Sequence, residues 1–207
     1  SYGNAKIKGY INNVKDPDNT KYDLAINTGG FNVGRLLRQD SIIGVVAGNF
    51  KLKGTSFDVN NMQSDIAANM TRLDYNGYSY SGINLIAKLN RGLIGAKGSV
   101  NDPNAALNFD INANIKNEYP TINGTIQIDT MQLQNLNLYD SMFNFSGLVN
   151  LDVKSLVPRK LDADVLVDSL RMQFAGVKYF IDTIALNASN QNGIDSIKFS
   201  SPFANAV

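Results

Sequence analysis

A chain of 207 residues, 43 % hydrophobic and 18 % charged, is long enough to bury a core and too apolar to stay disordered. Its 19 basic and 18 acidic residues leave a net charge of +1, which gives no long-range attraction to phosphate backbones and argues against nucleic acid as a partner. Cysteine, histidine and tryptophan are absent, so thiolate and imidazole chemistry and the usual zinc, copper and haem ligands are missing; no enzyme activity, cofactor or metal is expected.

In chain order, nearly every segment shows the period-two alternation of a β-strand. Ile7, Gly9 and Ile11 alternate with Lys6, Lys8 and Tyr10. The turn Asp16-Pro17-Asp18-Asn19 follows, then Tyr22, Leu24 and Ile26. The stretch from Phe31 to Gln39 is the one segment with helical spacing, through Val33, Leu36 and Leu37, and at barely two turns it predicts a connector. Val46, Gly48, Phe50 and Leu52 then oppose Asn49, Lys51 and Lys53. Further alternating runs begin at Ile66, Ile83, Leu107, Ile122, Phe145, Leu161 and Ile184, with breaks at Arg91-Gly92 and Asp102-Pro103-Asn104. Twenty-eight asparagines, placed in turns and at outward strand positions, suit short strands joined by hairpins.

The chain also matches itself at an offset of 99: Tyr75-Asn76-Gly77 with Phe174-Ala175-Gly176, Tyr80 with Tyr179, Leu85 with Ile184 and Pro103 with Pro202. The expectation is one continuous β unit over residues 1–207, carrying an internal repeat of about 20–117 and 118–207 with no linker between the halves.

The runs "YDLAINTGGFNVGRLLRQDSIIGVVAGNFKLKGTSFD", "DIAANMTRLDYNGYSYSGINLIAKLNRG" and "NDPNAALNFDINANI", in that order, resemble the AsmA-like family, specifically its TamB-type translocation and assembly modules. The resemblance implies an all-β fold, an elongated antiparallel or mixed sheet curled into a half-open β-taco with an apolar concave face. It further implies a periplasmic segment of an inner-membrane-anchored protein that bridges to the outer membrane for phospholipid transport or outer-membrane protein assembly. Partners would be phospholipid acyl chains or unfolded outer-membrane protein strands, with an outer-membrane assembly partner met by regions outside these residues. The abrupt start at Ser1 and the lack of a signal peptide or membrane-spanning run read as a fragment of something longer.

A sheet apolar on one face must cover it, and with so little helix the expectation is that it folds over on itself. The wall of such a groove would be formed by Phe50, Leu52, Ile66, Met70, Ile83, Leu85, Ala87, Leu89, Leu107, Phe109, Ile111, Ala113, Ile126, Ile128, Val149, Leu151, Val165, Val167, Ile184 and Leu186. Small residues on it, Gly48, Ala68, Ala87, Ala113, Gly124 and Gly147, would leave room for an acyl chain. A closed-core structural spacer or adhesin-like module is the alternative. Three other features read as structural: "GGFNVGR" as a helix start rather than a phosphate loop, Asp162, Asp164 and Asp168 as a solvated strand face rather than a calcium site, and Tyr75, Tyr78 and Tyr80 as a packed corner.

Overall fold

The computed structural model describes every residue except 1, 59, 117, 156, 158, 159, 192, 203, 204 and 207, so the expected repeat limits at 117 and 207 lie outside the described residues. Its strands are β1 (Gly3–Asn12), β2 (Lys21–Asn32), β3 (Ile43–Thr55), β4 (Gln63–Tyr75), β5 (Tyr78–Tyr80), β6 (Ile83–Asn90) and β7 (Leu93–Asp102). They continue as β8 (Ala105–Asn114), β9 (Thr121–Gln132), β10 (Phe143–Ser155), β11 (Asp162–Phe174), β12 (Val177–Gln191), β13 (Ile194–Ser200) and β14 (Asn205–Ala206). One helix, α1 (Val33–Leu37), joins β2 to β3. Asn32 caps it, its side-chain oxygen accepting from the Arg35 N–H at 2.8 Å, and Arg38 ends it at a left-handed φ of 57°.

All strands form one sheet in chain order from β1 to β14, with β5 paired to β4 beside the main path. Among the described residues every strand pairing is antiparallel, as hairpin-linked neighbours require. The order of elements recurs along the chain: β2 and β3 have counterparts 100 residues on in β9 and β10, and β4 has one 99 residues on in β11.

The all-β class, the repeated strands and, among the described residues, the single short helix match expectation. The curl does not: the sheet is open and uncurled. Among the described residues, substantial contacts between elements run only between sheet neighbours, apart from α1 against β3. The reason lies in the connections. Along the main path each strand lies beside the next in chain order, β5 apart, and the connections are turns, short loops or, between β2 and β3, α1, so no described connection carries a later strand back over the face of an earlier one.

Register explains how the sheet stays one-sided. At β2–β3 the pairing slips between Thr28 and Phe31. The Thr28 hydroxyl fixes that bulge, accepting from the Gly30 N–H at 3.0 Å and donating to the Asn4 carbonyl at 2.8 Å. Comparable slips occur at Ala47/Gly48 on β3–β4, Phe145/Gly147 on β9–β10 and Ser146/Leu148 on β10–β11. Without such bulges the strict period of two would fix the same parity along each whole strand.

Candidate functional site: an uncovered apolar sheet face

Cross-strand pairs link into continuous rows. One row runs Ile7, Ile26, Phe50, Ala68, Leu85, Gly98, Phe109, Ile126, Val149, Val167 and Ile184. The next runs Gly9, Leu24, Leu52, Ile66, Ala87, Ala96, Ile111, Gly124, Leu151, Val165, Leu186 and Phe199. Neither row contains a polar side chain from β1 to β12. On one side they are flanked by a row through Tyr22, Gly54, Ser64, Leu89, Ile94, Ala113, Ile122 and Val153. On the other stand Met70, Ile83, Val100, Leu107 and Ile128.

All twenty expected wall residues fall in these four rows, on one face. They form no closed core. Ala87 and Ile128 are buried at 8 % exposure, Leu186 is exposed, and the rest are half-buried, as side chains are when they pack sideways in rows with nothing above them. The largest fully buried side chains, Tyr22, Leu136, Thr20 and Ser56, lie at strand ends and in connections.

The rows also hold residues the wall assignment omitted: Ile7, Leu24, Ile26, Ile94, Ala96 and Val100. Their alternation was visible in the sequence, but their neighbours were not. Beyond the bulges the omission has a different cause. A groove of about 950 Å³ gathers Ile7, Ile26 and Phe50 together with Phe31, Val46 and Leu36, although Phe31 has the wrong parity relative to Ile26. A second groove, about 700 Å³, is lined by Met131, Phe145, Met172 and Tyr179, with Asn144, Arg171 and Gln173 also contributing.

Two of the small positions act differently from the expected role. Gly48 and Gly124 have φ of 149° and 152°, and a Cβ at either would stand 2.2 Å from the Asn69 or Asp110 carbonyl oxygen. Close approach of the neighbouring backbone dictates glycine there.

The opposite face is polar in an equally regular way. Asn27, Asn49, Asn69 and Asn84 stand in one row; the Asn27 side-chain amide donates to Asn49 at 2.6 Å, and Asn69 donates to Asn84 at 2.5 Å. Asp23, Lys53, Asp65 and Lys88 form a row of alternating sign, with ion pairs of 3.3 and 3.5 Å. Asp164 accepts from Asn187 at 2.6 Å, while Asp168 accepts from Asn150 and Thr183, each at 3.3 Å. Among the described residues no group of acidic side chains is arranged to hold a metal ion.

At the end of the sheet where β4 meets β5, Tyr78 and Tyr80 pack edge to face at 4.8 Å. The Tyr78 hydroxyl donates to buried Asp102 at 2.6 Å. Asp102 also accepts from the Ser81 N–H and hydroxyl, each at 3.0 Å, and from the Asn104 N–H at 2.9 Å. Burial alone would raise this carboxyl, but the Tyr78, Asn104 and Ser81 donors outweigh it and hold its pKa below the usual carboxylate value. Burial, reinforced by the adjacent carboxylate, raises the Tyr78 phenol.

Comparison with protein-family models, with curated proteins and with solved structures gave no match.

Proposed function

We propose that this chain is a non-enzymatic conduit segment of the TamB type, periplasmic in location, whose apolar sheet face carries phospholipid acyl chains between membranes. The observation supporting this reading is the pair of adjacent rows with no polar side chain from β1 to β12, over which no other element packs among the described residues. An uncovered apolar face of this extent marks an interaction site. Each methylene laid on such a surface gains up to about 0.8 kcal/mol. Because the central rows present no charge or hydrogen-bonding group to a head group, a chain lying across them meets similar surroundings at each strand and can shift along the face.

Leu85 lies at the centre of this face, so Leu85→Asp separates a conduit from a spacer whose face is sealed in use. On an open face the new carboxylate reaches water and the fold persists. Acyl-chain crosslinking from a photoreactive residue at Ile83 then falls sharply. A large loss of stability, with no lipid captured by the parent protein, rejects the proposal in favour of the closed-core spacer.

A further inference from the structure

The hairpin tip Tyr75-Asn76-Gly77-Tyr78 reaches a connection 61 residues further on. The Asn76 side-chain amide donates to the Asn137 carbonyl at 2.8 Å, and the Asn137 amide donates back to the Asn76 carbonyl at 3.4 Å. Beside this contact Leu136 is fully buried, with 0 % exposure.

Both halves of the contact occur a second time, and among the described residues they do not meet: the second tip touches the connection of its own unit, through Ala175 N–H to the Met142 carbonyl and Phe174 on Phe143, and not α1. The connection containing Asn137 corresponds to α1. Asn137 N–H donates to Gln134 and Leu138 N–H to Leu133; 99 residues earlier Arg38 N–H donates to Arg35 and Gln39 N–H to Gly34. Asn137 and Arg38 share a φ of 57°. Leu136 therefore corresponds to Leu37, yet Leu37 is 57 % exposed. The tip likewise recurs as Phe174-Ala175-Gly176-Val177, where Ala175 and Gly176 have φ of 48° and 82° against 48° and 75° for Asn76 and Gly77. Phe174 and Val177 are 42 % and 52 % exposed.

We infer that α1 is a docking surface for the Phe174–Val177 hairpin tip of a second copy of this chain, joining copies head to tail. The internal contact supplies the template: the Arg38 guanidinium donates to the Ala175 carbonyl where Asn137 donates to Asn76, and the tip then lies next to Leu37, the chain neighbour of Arg38 as Leu136 is of Asn137. The two surfaces are different patches at different places in the sheet order, so the association is heterologous, head to tail, and builds a ring or a filament according to the rotation between copies. This inference is independent of what the apolar face carries.

Sedimentation velocity of the full chain over a concentration series tests it. The expected result is a sedimentation coefficient that climbs with concentration beyond that of a dimer. Leu37→Glu alone and Ala175→Arg alone should each abolish the rise while leaving the melting curve near that of the parent, because both side chains lie on the surface. Mixed together, these two variants keep one intact surface each and should form a dimer that grows no further. Ala175→Asn restores the amide present at Asn76 and should tighten association about fivefold, the effect of one ordinary hydrogen bond. A chain that stays monomeric into the millimolar range, or that associates equally well with Leu37→Glu and Ala175→Arg, overturns the inference.

Discussion

Asp102 organises the end of the sheet through four hydrogen bonds, from Tyr78, Ser81 twice and Asn104. Removing the carboxylate strands those half-buried donors, and Asp102→Ala is expected to lower unfolding free energy by about 1–3 kcal/mol in a denaturant titration. The pH dependence has a definite sign. Because the folded pKa is depressed, the contribution of Asp102 is complete above the unfolded carboxyl value of about 3.9 and is lost as pH falls through the lower folded value. Acid unfolding of Asp102→Asn should therefore lack part of the parent's loss of stability below about pH 4. Gly124 makes a steric prediction instead: a methyl group 2.2 Å from the Asp110 carbonyl oxygen forces the β8 and β9 backbones apart, so Gly124→Ala should cost about 2 kcal/mol or more. A neutral Gly124→Ala would show that backbone approach does not dictate glycine there.

At the scale of the element, α1 is too short to be stable alone and depends on its cap and on β3. Asn32→Ala removes the acceptor for the Arg35 N–H and should destabilise the chain by about 1 kcal/mol, while Asn32→Ser should be nearly neutral. The polar rows make a contrasting prediction. Lys53 and Lys88 are largely exposed, so Lys53→Ala should change stability by less than about 1 kcal/mol. A larger effect would mean that the alternating row of Asp23, Lys53, Asp65 and Lys88 acts as a network.

For the whole molecule, a face that recognises acyl chains by area alone should bind longer chains more tightly and ignore their head groups. Fatty acids of increasing length are expected to bind with dissociation constants falling about fourfold per methylene, the equivalent of about 0.8 kcal/mol. Replacing a carboxylate head by a neutral alcohol should alter affinity little. A flat length dependence, or binding dominated by the head group, would refute recognition by the central rows.

The sequence by itself determined that this is a β protein with one apolar and one polar strand face, because period-two alternation is local and each strand carries its own copy of it. That the twenty residues from Phe50 to Leu186 share one face was legible on that basis, as was a helical connector within Phe31 to Gln39. The tertiary structure alone decided which strand rows meet, since register depends on turns and bulges such as Thr28-Gly29-Gly30, where one inserted residue moves Phe31 beside Ile26 against simple parity. It alone decided that the sheet stays open, because the absence of a crossover over the face is a property of the whole strand order. It alone brought Asn76 to Asn137, a contact between two surface turns whose sequences carry no mark of complementarity until their backbones are placed side by side.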